Sequence, residues 1–130
     1  MKALKGALAA ALLAGPAFAA GNIEVAIIGE PQSMDPMMST QDVVGIVTQH
    51  IVETLFTFDG KWAIQPLLAA SLPEISADGK TYTIKLRPGI TFHDGSAMDS
   101  ADVVDSLKRW TQVATRGKSI AERIEAISAP

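Results

Sequence analysis

The chain of 130 residues contains no cysteine. That excludes a disulfide framework and any thiolate metal site. It has two histidines, His50 and His93, too far apart for a metal-ligand spacing. No Gly-x-Ser-x-Gly nucleophile elbow occurs, and a histidine next to an aspartate, as in His93-Asp94, is not thereby bonded to it. Carboxylates are scattered. These gaps leave no recognisable catalytic residue, no metal site and no expected cofactor, so a secreted hydrolase is disfavoured. Basic charge is also short: the net charge is −3, and the first nineteen residues hold only Lys2 and Lys5 as basic groups. The remainder is more acidic still and has no basic stripe, which argues against nucleic acid as a partner. A membrane-spanning run is missing too, because the apolar stretch Ala7 to Gly15 is too short to cross a bilayer.

What is present begins with a targeting signal. Met1 to Gly6 is short and positive, Ala7 to Gly15 is apolar, and Ala17-Phe18-Ala19 is a small-x-small cleavage site. Residues 1–19 are therefore expected to be a signal peptide cut after Ala19. No cysteine follows to carry a lipid, so the expected product is free in a Gram-negative periplasm.

The next elements follow from periodicity and turn chemistry. Ile23 to Ile28 is rich in apolar side chains and predicts a buried first strand, ended by Glu30-Pro31. Ser39 or Thr40 is placed to cap a helix running to about Glu53, with Val43, Val44, Val47, His50, Ile51 and Leu55 near one face. Leu55 to Phe58, the turn Asp59-Gly60 and Trp62 to Ile64 read as a hairpin. Leu67 to Ala70 reads as a short helical turn, and Ser76 to Gly79 as a turn.

From Lys80 to Trp110 the pattern is clearest. An alternating strand, Thr81 to Leu86, is followed by the turn Arg87-Pro88-Gly89, a short strand Ile90 to Phe92 and the turn His93-Asp94-Gly95. Asp99 is then an N-cap with Asp102 three residues on, as in a capping box. Val103, Val104, Leu107 and Trp110 share one helical face. Arg87, at a strand end, is expected to pair with a carboxylate. Thr111 to Lys118, polar and containing Gly117, reads as a loop. Ile120, Ile124 and Ile127 are spaced to line a helix.

Three segments of this chain resemble the family 5 extracellular solute-binding proteins, the peptide, nickel and glutathione receptors of ABC importers. They are Gly29-Glu30-Pro31-Gln32-Ser33-Met34-Asp35-Pro36, then Gln65-Pro66-Leu67-Leu68-Ala69-Ala70-Ser71. The third joins Leu86-Arg87-Pro88-Gly89, Phe92-His93-Asp94-Gly95 and Ala101-Asp102-Val103-Val104. Together they cover roughly residues 22 to 110. One departure is Ala97-Met98-Asp99, where the family usually has Pro-Phe-Thr; aspartate caps a helix as threonine does.

The resemblance implies an α/β chain, α+β in an extra domain, forming the incomplete N-terminal part of a two-lobed type II periplasmic-binding-protein-like fold. Residues 20–53 would begin the first lobe and residues 54–130 would form much of the small extra mixed domain, with Ile124 to Ala129 starting a strand. The family runs on for several hundred more residues, so a truncated chain is expected. The implied function is capture of a peptide or similar polar solute for an ABC permease, by a monomer without catalytic residues. A secreted interaction module, or a non-functional fragment of such a receptor, is the alternative. Met37, Met38, Ser39, Thr40 and Gln41 are the expected ligand contacts. They follow the first strand, where α/β sheets gather ligands, and the family's Asp-Pro loop often faces the cleft. Methionine offers adaptable apolar contact while Ser, Thr and Gln offer hydrogen bonds.

Overall fold

The computed structural model describes Gly21 and residues 24–130. The predicted signal segment and Ile23 lie outside the described residues. Among the described residues, two small antiparallel hairpins and three helices make up the regular structure, with Val44, Thr48, Ala69 and Ala114 buried.

The first helix, α1, spans Asp42–Thr48. It starts after Gln41, whose side chain makes no cap bond, so neither Ser39 nor Thr40 is the cap the sequence suggested. The Ser39 hydroxyl instead accepts from the Gln41 N–H at 3.2 Å. The helix also ends well before Glu53. Thr48 Oγ1 donates back to the Val44 carbonyl at 2.7 Å, a local bond that competes with helix continuation. The chain then leaves through tight turns, with Ile51 N and Val52 N both donating to the Thr48 carbonyl.

Strands β1, Phe56–Phe58, and β2, Ile64–Pro66, pair with Phe56 opposite Pro66. This is the expected hairpin with a longer loop. Asp59 organises it, since its carboxylate accepts from Lys61 N, Ala63 N and Gln65 Nε2. The left-handed residue is Trp62, at φ 63°, rather than the glycine, so Trp62 belongs to the turn and pairing starts only at Ile64. Its ring tilts against Phe58 with centroids 5.9 Å apart.

Leu67 to Ala70 is not helical: the chain bends at Leu67, Leu68 and Ala70 and forms a single β-bridge at Ala69. On one edge Leu67 N and Ala69 N donate to the Leu55 carbonyl. On the other, Ala70 N donates to Lys85 O and Arg87 N to Leu68 O, and Ala69 bridges Leu86. Two neighbours supply backbone partners, which outweighs any local helical preference. The second hairpin pairs β3, Glu74–Ile75, with β4, Tyr82–Thr83. β3 is too short to show a period, and the alternating strand of the sequence shrinks to β4 plus the Leu86 bridge. Ile90 to Phe92 is likewise no full strand; Thr91 bridges Ala97 around the His93 to Gly95 turn. Gly89 and Gly95 adopt the positive φ their turns require.

Helix α2 spans Ser100–Val113 and carries the full capping box, Asp99 accepting from Asp102 N and Asp102 returning the bond to Asp99 N. It runs past Trp110. The expected loop is in fact its last turn, the extended residue Ala114, and helix α3, Thr115–Ala121. Polar surface residues hid the helix, and Gly117 marks a close approach rather than a loop: a Cβ there would lie 2.1 Å from the Trp110 carbonyl oxygen. Ile124 and Ile127 lie beyond α3 in irregular chain. Glu24 to Ile28 is also irregular, and Val25 and Ile28 are exposed. The first-strand expectation fails there because no described segment lies alongside to pair with it.

Replacing Gly117 with alanine is expected to destabilise the fold by about 2 kcal/mol, since backbone blocks the new methyl. Gly45→Ala, with nothing within 4 Å of the new Cβ inside α1, is expected to stabilise by about 0.5–1 kcal/mol. Denaturant unfolding of both variants checks the pair; equal effects would remove the close-contact account.

Candidate ligand-binding site

The loop between residue 35 and α1 is built by short-range bonds. Ser33 Oγ accepts from Asp35 N at 3.0 Å, and Asp35 Oδ1 accepts from Met37 N at 2.9 Å. The Asp35 carbonyl accepts from Met38 N at 3.2 Å. An aspartate before proline favours such a turn, because its side chain satisfies the N–H two residues on. The turn delivers Met37 and Ser39 half-buried, with Met38, Thr40 and Gln41 exposed.

Two open cavities flank this turn. The larger, about 1190 Å³, is mainly apolar, with Phe56, Leu68, Phe92, Val103 and Leu107 in its wall. The smaller, about 560 Å³, is lined by Met37, Ser39, Thr40 and Gln41, with Asp42 and Arg116 at its edge. Four of the five expected contacts thus share one polar cleft. Met38 lines neither cavity. Gln41, unused in capping, keeps its amide free of the helix. The cleft offers amide, hydroxyl and thioether groups together with one carboxylate and one guanidinium. That set suits a small polar solute carrying both charges and holds no nucleophile–base pair.

A residue the sequence reading missed anchors the turn. Arg109 Nη1 donates to Asp35 Oδ1 at 3.3 Å and lies 3.1 Å from Met37 Sδ, while its Nη2 donates to Asp35 Oδ2. Arg109 beside Asp35, helped by the Met37 N–H, holds the carboxyl below its ordinary value of 3.8. A separation of 74 residues gave no local signal. Arg87, by contrast, pairs with no carboxylate among the described residues; its guanidinium donates to the Ala69 and Pro66 carbonyls. The two histidines both line the larger cavity. Asp94 serves Ser96, whose N–H and hydroxyl it accepts, so His93 and Asp94 form turn rather than dyad.

Comparison with known proteins matches residues 63–129 to the family described as bacterial extracellular solute-binding proteins, family 5 Middle. A glutathione-binding protein GsiB of Pectobacterium atrosepticum is 39% identical over 100 residues, 77% of this chain and 19% of the relative. The probable peptide ABC transporter periplasmic-binding protein y4tO of Sinorhizobium fredii is 35% identical over 94 residues, 72% of this chain and 18% of its own. A GsiB of Escherichia coli is 36% identical over 111 residues, 85% and 22% respectively. The chain spans about a fifth of the length of the curated relatives it matches.

The Asp35 carboxyl is expected to titrate below 3.8 and to move up toward that value in Arg109→Gln. A depressed folded value means the pair contributes at pH above 3.8 and is lost as pH falls through the folded pKa. Carbon-detected NMR titration of Asp35 reads both; an Asp35 value unmoved by the substitution would remove Arg109 as the cause.

Proposed function

Because the chain belongs to the bacterial extracellular solute-binding proteins of family 5, whose members are transport receptors and not enzymes, we propose that it is part of the substrate-binding component of an ABC importer. The receptor captures a short peptide or a similar polar solute such as glutathione in the periplasm and delivers it to a membrane permease. The relatives' names, glutathione-binding and peptide ABC transporter periplasmic-binding, support this class of solute.

The mechanism is hinge closure of two lobes around the ligand, with the closed form presented to the permease. Residues 20–53 supply the start of the first lobe and residues 54–130 the small extra domain. On this reading Glu24 to Ile28 is the opening strand, paired in the whole receptor by strands of the same lobe. Residues 1–19 direct export and are removed after Ala19, and the receptor acts as a monomer without nucleic acid.

The observation that carries the ligand site is the shared polar cleft of Met37, Ser39, Thr40 and Gln41. Gln41 and the two hydroxyls bond the solute's amides or carboxylate, and Met37 covers its apolar parts. None of these groups changes covalently, so binding energy goes into closing the lobes.

Isothermal calorimetry of the full-length mature receptor against glutathione and a set of di- and tripeptides is expected to show one site. Gln41→Ala should weaken the bound member about fivefold, on the order of the 1 kcal/mol of one lost hydrogen bond. No heat with any of these solutes would sink the reading, and unchanged affinity in the variant would move the site elsewhere.

A further inference from the structure

Pro36, Met37, Gln49 and Trp110 line both cavities. They form the partition between the apolar chamber and the polar cleft. Two of them come from the Asp35 turn and one from α2, and the side chain that joins those two elements is Arg109, the neighbour of Trp110.

Its geometry is that of a clamp. One guanidinium bonds both carboxylate oxygens of Asp35 and rests on the Met37 sulfur. The same Asp35 Oδ1 holds the Met37 N–H. The Met37 N–H and the guanidinium therefore converge on one carboxylate, while Ser33 Oγ and the Asp35 carbonyl hold the rest of the turn locally. The two side chains are 47% and 30% exposed, and an ion pair open to water contributes little to global stability. A planar two-point fork nevertheless fixes direction as well as distance. A contact weak in energy and strict in geometry positions its partner more than it stabilises the fold.

We propose that Arg109 is a positioning residue for the ligand loop: it holds the Asp35 to Gln41 turn against α2 and thereby sets the Met37 wall that separates the polar cleft from the apolar chamber. This rests on the ligand site proposed above. Pre-ordering the loop removes part of the ordering cost at binding. Fixing the thioether, otherwise the most adaptable side chain in the wall, keeps the cleft's width constant and so limits the size of solute it accepts.

The test uses the full-length receptor with Arg109→Gln, Arg109→Lys and, as control, Lys85→Gln. The control breaks a second exposed ion pair, Lys85 to Glu74 at 2.5 Å, away from the loop. Hydrogen exchange at the Met37 and Met38 amides is expected to quicken about tenfold in Arg109→Gln, with a melting temperature no lower than that of the control. Arg109→Lys, which keeps the charge but loses the fork, should recover only part of the protection. Exchange unchanged at these amides, or faster throughout the chain in step with a falling melting temperature, overturns the proposal.

Calorimetry with glutathione and the peptide set separates the two readings. Where the exchange result holds and the bound solute's affinity also falls about tenfold, clamp and site stand together. Faster exchange with unchanged affinity refutes the loop as ligand contact and with it the positioning role for binding. If wild type binds none of the solutes, the importer reading fails, while the exchange data still decide whether Arg109 orders the turn.

Discussion

The segment from Leu67 to Ala70 is the constraint on which the other elements depend. Its N–H groups donate to the carbonyls of residues 54–55 on one side, and it exchanges backbone bonds with residues 85–87 on the other, which ties together two hairpins that are each too short to stand alone. Ala69 is buried, and a larger side chain there would push against both neighbours. Arg87 reinforces the junction through its bonds to the Ala69 and Pro66 carbonyls. An unpaired carbonyl in such a place is costly, so the guanidinium acts as a backbone donor. The turn that follows at Gly89 leads into α2 from this fixed junction, and α2 in turn carries Arg109 and Trp110 to the ligand loop.

What the sequence revealed is what neighbours along the chain decide. The Asp99 and Asp102 capping box, the positive φ of Gly89 and Gly95 and the β1–β2 hairpin each depend on chemistry within a few residues. What it hid depends on partners far away. Leu67 to Ala70 has helix-forming side chains, yet its backbone bonds go to residues 54–55 and 85–87 instead of to a helical turn. Gly117 has the look of a loop breaker and is buried in α3, since its missing side chain lets α3 meet the Trp110 carbonyl. Arg109 is one of several cations on helix surfaces in the sequence, and only the fold brings it to Asp35, 74 residues away. The ligand loop was half legible. Its residue types and its position after a proline turn were readable, but the cavity that gathers four of its five residues requires α2 and α3.

The exposed apolar side chains fall into two kinds. Val25 and Ile28 sit exposed on irregular chain near the start of the described residues. Trp62, 81% exposed at the β1–β2 tip, is different. Its left-handed backbone is held by a local network around Asp59, whose carboxylate is kept below its ordinary range by the Ala63, Lys61 and Gln65 donors. That tip is therefore specified within one hairpin, whereas Glu24 to Ile28 has no bond to another described residue to define it. Local specification and dependence on distant chain divide the structure along the same line that divided legible from illegible sequence.

The ligand loop lies on that line. Its turn is written locally by Ser33 and Asp35, yet its placement is written by Arg109 from α2. Under the proposed function, such a loop would need both properties: a shape held when the site is empty, and a wall that stays in register with the elements behind it. A loop fixed by a buried apolar plug would be rigid but deaf to small adjustments in the cleft. An exposed two-point ion pair resists sideways displacement while remaining solvated, so the Met37 wall is held in direction without being locked by desolvation. The chemistry of the pair, more than its energy, sets how it holds the Asp35 turn to α2.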